Sequence, residues 1–419
     1  MRGPRRVQPT VLAVVAADAA STLGSEMSAV ALPWFVLVST GSPARMAGVL
    51  AAEFAGVALL GLPAGRLAQA LGARRAMLTA DGIRAPLLLL IPVLHWVGAL
   101  HYVMLLVVGL VVGACFTAYS SAQRVLLAEA SDDDELALTR VGAVLGAFNE
   151  TASFLGPALG GALVALVGSS WVLVVDSASY VVSFLLIAVV VRPTSAPVEA
   201  PPPMASGVRY LRSDRALRRQ LIAVMVASVG WTSLMATLPV VARERYDGGA
   251  QLAGALIAAY GLGSVVGAVV ASRTRRTAVG RPGLPFIAVA VATWVAVFAL
   301  PAWALAVVVV IFGVANGLYF PRLFTALTLR PPEALRTQVL AAAQVAMTVT
   351  SPIGFIAAGL LLDSNSARAT FMLTAVAMTV AALVSVTGEP LSAGVDVEGL
   401  SAQEADEGES GLVGEFDGQ

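Results

Sequence analysis

The sequence predicts an all-α integral membrane protein whose twelve transmembrane helices form two pseudo-symmetric six-helix bundles. Three observations carry that reading. The 419 residues are 58% hydrophobic and 12% charged, with a mean hydropathy of +0.84, whereas soluble domains carry roughly 25% charged residues. The apolar residues fall into twelve runs, each of a length suited to a hydrocarbon core about 30 Å thick. The second set of six runs also repeats features of the first at matching spacing.

Residues 1–10 carry Arg2, Arg5 and Arg6 ahead of the first run, 11–38, which is longer than a signal-peptide core and is followed by further spans. The second run, 47–70, ends at a tight basic turn containing Gly72, Arg74 and Arg75. Runs 76–97 and 102–127 follow, joined by a short loop flanked by His95 and His101. No acid or thiol lies near these histidines in sequence, so they read as interfacial side chains. After an acidic loop, 129–140, runs 141–167 and 171–191 complete the first bundle, 11–191.

The one long internal loop, 192–220, opens with the extended segment PTSAPVEAPPP. From Gly207 onward it places Tyr210, Leu217 and Leu221 on one helical face and Arg212, Arg215 and Arg219 on the other, the pattern of an amphipathic helix lying on an anionic leaflet. The second bundle, 221–388, comprises runs 221–241, 252–271, 285–300, 303–323, 339–362 and 370–386. Residues 389–419 hold nine acids and no arginine, and read as a disordered acidic tail in the cytoplasm.

Because the tail is so acidic, the formal net charge of zero hides a basic membrane portion, with 17 acids against 26 arginines in the first 388 residues. The arginines at positions 2, 5, 6, 74, 75, 140, 273, 275, 276, 281, 330 and 336, together with those of the central loop, all fall on one side. Only Arg45, Arg243, Arg245 and Arg368 fall on the other, so both termini are expected in the cytoplasm of a cell whose inner membrane the chain crosses. Every basic residue is arginine, which suggests a high-GC bacterial source. The absence of lysine excludes a P-loop ATPase and lysine Schiff-base chemistry, and the single Cys115 excludes an intramolecular disulfide.

The halves echo each other in detail. Arg140 stands 17 positions before Pro157 and Arg336 stands 16 before Pro352, with Tyr119 and Tyr319 upstream. Parallel six-helix repeats let a transporter build a site at the bilayer midplane between two rocking halves.

On these features the chain, over residues 11–386, resembles the major facilitator superfamily (MFS) of transporters. The loop after the second helix, Gly65, Arg66, Leu67, Ala68, Gln69, Ala70, Leu71, Gly72, Ala73 and Arg74, is similar to that family's Gly-x-Leu-Ala-Asp-Arg-x-Gly-Arg-Arg. Gln69 stands where the family has the aspartate of its charge lock, which implies a gate built differently here. Gly156, Pro157, Gly160 and Gly161 resemble the GPxxGG core of drug–proton antiporters, a hinge or leak seal. The same glycines also read as ordinary close-packing positions, like the GxxxG pairs at 61/65, 109/113, 142/146 and 263/267. Asp81, Gly82, Ile83 and Arg84, with the YSSAQR run at 119–124, resemble the branch of macrolide and siderophore (enterobactin-type) exporters.

Charge inside a bilayer is expensive, so the ionisable residues of the runs mark the chemistry. In the first half they are Asp18, Glu26, Glu53, Asp81, Arg84, Arg124, Glu150 and Asp176, whereas the second half offers only Arg322. Asp81 and Arg84 share a helical face near its cytoplasmic end and read as a mutually neutralising structural pair. The candidates for proton coupling, in order, are Glu26, Glu150 and Asp18, with helix-packing carboxylates as the competing reading. Trp231, Met235, Tyr260, Asn316, Tyr319, Gln344 and Met347 are candidates for a substrate-cavity wall, and as packing residues otherwise.

The resemblance implies a secondary transporter and not an enzyme, exporting a lipophilic drug or natural product in exchange for protons, with the proton gradient in place of a cofactor. An excess of acids favours neutral or cationic substrates. The expected partners are that substrate and the membrane lipids, with no nucleic acid, no metal and a monomeric state. Import or facilitated passage of a metabolite, siderophore or lipid, and a non-transporting sensor, stay open as alternatives. The cluster Asp132, Asp133, Asp134 and Glu135 is similar to a prenyltransferase magnesium site, but the second cluster such enzymes need is missing, and Ser131 with Asp134 reads as a helix cap.

Overall fold

The structure, a computed structural model, describes residues 9–61, 63, 67, 70–130, 135–191, 205–273, 283–332, 335–364 and 366–386. Thus Gly65 and Gln69 of the loop motif, the 131–134 cluster, the linker 192–204 and the acidic tail lie outside the described residues.

The first half comprises α1 (Pro9–Thr40), α2 (Pro43–Leu60), α3 (Ala73–Trp96), α4 (Tyr102–Ala130), α5 (Glu135–Val167) and α6 (Ser169–Val190). A short helix, α7 (Ala205–Ser213), precedes the second half: α8 (Arg215–Glu244), α9 (Ala250–Arg273), α10 (Leu284–Ala296), α11 (Ala302–Leu329), α12 (Arg336–Asp363) and α13 (Ala367–Val386). Eleven of these helices are long and apolar enough to cross a membrane. The sequence run 285–300 predicts a longer α10 than the 13 residues observed. The chain turns at Val297 and reaches Pro301, which opens α11 from an extended conformation and so ends the preceding helical path.

The outer surface is apolar, with Val189 81%, Leu166 76% and Trp303 73% exposed, as a lipid-facing wall requires. Buried apolar clusters fill each half, and one of them joins α1, α2 and α6 to α8, α9 and α12 across the midline. That shared core sits toward the end carrying the short turns, opposite the arginine-rich end. There Ser42 Oγ donates to Asp363 Oδ1 at 3.0 Å and Arg243 Nη1 donates to the Leu37 carbonyl at 2.9 Å. The halves therefore meet tightly at the turn end.

Equivalent helix pairs in the two halves use the same packing device. Gly109 and Gly113 of α4 lie against the α2 backbone at Val49 and Glu53, and Gly263 and Gly267 of α9 lie against α11 at Val310 and Val314. Gly313 and Gly317 return the contact from α11 onto Tyr260 and Ser264. Small residues let backbones approach where no hydrophobic gain drives association. Gly142 and Gly146, which show the same spacing, have nothing within 4 Å of an added Cβ.

The repeated proline positions behave differently. Helix α5 continues through Pro157, whereas α12 breaks at Thr350, between Val349 and Ser351. Side chains at the break fasten it to α8: Thr350 Oγ1 donates to the Met225 carbonyl at 2.8 Å, and Ser351 and Ser228 hydroxyls meet at 2.9 Å.

One expectation is corrected. The amphipathic stretch from Gly207 is not one continuous helix. It divides at Asp214, whose side chain accepts from Leu217 N–H at 3.0 Å and caps α8. The apolar side of α7 packs on protein, with Gly207 against the Gln338 backbone of α12, Leu211 buried, and the Tyr210 hydroxyl donating to the Arg330 carbonyl at 2.8 Å.

Substituting Gly313 with valine should lower the melting temperature of the detergent-solubilised protein, since overpacking costs about 1–3 kcal/mol. Gly142→Ala should leave it unchanged. Thermal unfolding followed by size-exclusion chromatography measures both, and equal melting temperatures for the two variants would refute the packing assignment.

Candidate functional site

Three buried charges, Asp18, Asp81 and Arg84, cluster toward the arginine end of the first half. Arg84 and Asp81, both on α3, form a buried ion pair. The guanidinium lies 4.6 Å from the ring centre of Tyr119 on α4 and 4.3 Å from that of Tyr180 on α6. Asp81 also accepts from Ser183 Oγ at 2.7 Å, and Ser183 meets the Tyr119 hydroxyl at 3.2 Å. Tyr180 is held in turn by Ser25 of α1 at 2.8 Å. Asp18 is buried on α1 within electrostatic reach of Arg84 and Asp81, so it belongs to this cluster.

The second half builds a neutral counterpart, with the tyrosine and serine on its fourth and sixth helices as in the first half but the central polar group on its first helix, α8. Tyr319 donates to Gln220 Oε1 at 3.0 Å, and Ser385 Oγ donates to the same atom at 2.7 Å. Tyr119 and Tyr319, matched by spacing in the sequence, thus each engage a serine network of the sixth helix of their half, one around an ion pair and the other around an amide.

Nearer mid-bilayer, four carboxylates form two pairs. Glu26 on α1 is half-buried and near enough to Glu150 on α5 for their charges to repel. Glu150 is exposed, and its Oε2 accepts from Ser264 Oγ of α9 at 3.4 Å, reaching the other half. Glu53 on α2 stands in the same relation to Asp176 on α6. Asp176 is 1% exposed and accepts from Ser179 Oγ at 3.2 Å. Gly24 makes room for it, since a Cβ there would lie 2.6 Å from Asp176 Oδ1.

The GPxxGG segment sits where α5 crosses two helices. Gly156 packs on Glu26 and Gly160 on the Met27 backbone, both of α1. On the opposite side a Cβ at Gly161 would lie 2.6 Å from the Ala250 carbonyl oxygen of α9. In the basic turn, Gly72 has φ +79°, a left-handed conformation that a side chain would strain. Arg74 donates to the Val191 and Ala188 carbonyls at 2.6 and 2.8 Å, closing the end of α6, while Arg75 is exposed.

Beside the carboxylates lies an apolar cavity of about 370 Å³. Trp231, Tyr260, Asn316, Tyr319, Gln344 and Met347 line it, and Phe54 of α2 is the first-half residue in its wall. Met235 lies outside that wall, packed where the second-half core meets the shared core. Aromatic rings run across the midline from Phe54 to Trp231 at 6.0 Å, Trp231 to Tyr260 at 6.2 Å and Tyr260 to Phe312 at 6.2 Å. Tyr260 is also within electrostatic reach of Glu26 and Glu150, so it stands between the acid pair and the cavity.

Sequence reasoning named Glu53 and Asp176 among the charges of the spans without choosing them for proton coupling, and it did not name Tyr180 or Ser183. A signal was present on α6, where Asp176, Ser179, Tyr180 and Ser183 recur at helical spacing in an otherwise apolar run.

Two sets of six helices, eleven of them long and apolar enough to cross a membrane, with the buried charges among the described residues all in the first set, make up a multi-pass membrane protein. The chain belongs to the Major Facilitator Superfamily, whose family model matches residues 14–354. It is 26% identical over 377 residues to the multidrug efflux pump Tap of Mycobacterium tuberculosis, covering 87% of this chain and 89% of that one. The Tap pump of Mycolicibacterium fortuitum is 26% identical over 398 residues, covering 90% and 95%. Among solved structures, an inward-facing bacterial homologue of the human lysosomal transporter Spinster superposes with a TM-score of 0.72 at 13% identity, covering 92% of this chain and 97% of that one. A D-xylose–proton symporter gives 0.69 at 13% identity, covering 92% and 98%. These solved structures speak for the fold alone.

Arg84→Gln should destabilise the protein strongly, because losing one partner of a buried ion pair costs about 3–5 kcal/mol. Asp81→Asn in the same chain should recover part of the loss. Melting temperatures of the single and double variants test this, and a fully stable Arg84→Gln protein would refute the cluster's structural role.

Proposed function

We propose that the protein exports lipophilic, neutral or cationic small molecules across a bacterial cytoplasmic membrane in exchange for protons. The observation that carries this reading is the adjacency of an uncharged aromatic cavity in the second half and paired carboxylates in the first, with Tyr260 between them. An aromatic wall with a few polar groups such as Asn316 and Gln344 suits amphipathic molecules and orients them weakly. The multidrug efflux relatives support the outward direction.

In this reading Glu26 and Glu150 exchange the proton. The seat of Gly156 on Glu26 couples a proton taken up there to the α1–α5 crossing. Glu150 also touches Ser264 of the other half, so its charge bears on how the halves meet. With the arginine end in the cytoplasm, contacts concentrated at the turn end make this the state closed toward the outside. Alternation would then separate the α5–α9 and α2–α12 contacts near Gly161 and Gly359. The protein acts as a monomer in lipid without a resident cofactor.

Glu26→Gln and Glu150→Gln should each reduce pH-driven uptake of a lipophilic cationic dye into everted membrane vesicles by roughly tenfold or more, the scale of about 1.4 kcal/mol. Wild-type uptake in both variants would overturn the assignment of the proton to this pair.

A further inference from the structure

The arginine end of the second half carries a charge pattern that transport does not use. Residues 205–219 contain five arginines and one acid, Asp214, and that carboxylate is engaged by Arg330 Nε at 3.3 Å. Arg209, Arg212, Arg215 and Arg218 are exposed. Their positions are fixed, because α7 is seated on α12 through Gly207 and Leu211, and Arg218 Nη1 donates back to the Arg212 carbonyl at 2.7 Å. The patch is therefore a built, cationic surface.

The last turn of α13 is fastened beside it. Ser385 Oγ donates to Gln220 Oε1 at 2.7 Å, and Gln220 Nε2 donates to the Ser385 carbonyl at 3.3 Å. Gln220 stands two residues after Arg218 and five after Arg215, about 8 Å along α8. Glu389, the first of nine acids in residues 389–419, follows Val386 by three residues. The chain thus leaves the bundle at the edge of the arginine patch and continues as a segment with the opposite charge and no basic residue.

We propose that the acidic segment 389–419 folds back and docks on the arginine face of α7 and the first turns of α8. Each exposed ion pair is weak and salt-screened, but tethering raises the local concentration of one partner to the millimolar range. The segment, up to about 100 Å when extended, spans the patch easily. The attraction acts within a Debye length of about 8 Å, which the shared origin at Ser385 and Gln220 satisfies. Docking joins elements of the second half alone, so the docked segment travels with that half and screens its arginines from anionic lipid.

The test uses the full chain with Cys115→Ala and a spin-label pair at Ser213→Cys and Ala405→Cys, reconstituted in nanodiscs. In neutral phosphatidylcholine at low salt, pulsed spin–spin distances should show a short-distance population that disappears at high salt. It should also disappear when Arg209, Arg212, Arg215 and Arg218 are replaced by Gln. If that variant fails to fold, Glu404→Gln, Asp406→Asn, Glu407→Gln and Glu409→Gln together, which leave the bundle untouched, should remove the population equally. Persistence of the population in nanodiscs containing phosphatidylglycerol supports the proposal, whereas its complete loss there assigns the patch to lipid headgroups and overturns it. A single broad distribution indifferent to salt and charge would also overturn it, as would a short population that survives charge removal.

Discussion

A guanidinium in a lipid-embedded bundle dominates the first half. Arg84 is 3% exposed, and everything near it serves to make that tolerable: the Asp81 carboxylate, the Tyr119 and Tyr180 rings on either side, and Asp18 within electrostatic reach. These groups come from α1, α3, α4 and α6, so satisfying one charge fixes the relative positions of four helices. Burying an ion pair is costly unless the remaining valences are met, and Ser183 meets one of them on Asp81.

The second half shows what the same architecture looks like without charge. Tyr319, Gln220 and Ser385 reproduce the tyrosine–serine arrangement around a neutral amide, and this half contributes nearly the whole apolar cavity wall. The two bundles are similar in outline and divided in chemistry. The first holds the carboxylates Glu26, Glu53, Glu150 and Asp176, and the second supplies the aromatic wall of the cavity. Their meeting place is Tyr260, with Glu26 and Glu150 on one side and the aromatic chamber on the other.

Backbone proximity gives the assembly its geometry. At α2–α4, α9–α11, α1–α5 and α5–α9 the contact is between glycine and main chain, so the helices approach more closely than side chains would permit. Gly156 and Gly161 place a carboxylate-bearing helix and a helix of the other half on opposite sides of α5. The proline that follows Gly156 leaves α5 continuous, so this segment acts through close contact rather than through a visible break.

The sequence by itself determined the membrane-spanning class, the order of the helices, the internal repeat and the superfamily, because hydropathy, span length and turn residues are local properties that lipid enforces segment by segment. It also marked every ionisable residue of the spans, Glu53 and Asp176 included. Only the tertiary structure decided which of them meet: Glu26 with Glu150, Glu53 with Asp176, and Asp18 with the Arg84 cluster. It also turned the amphipathic face of 205–213 onto α12 and ended α10 at Ala296. The reason is that periodicity along one helix fixes which residues share a face. The rotation of that face toward a neighbour depends on how closely two backbones can approach, and that is set jointly by both sequences.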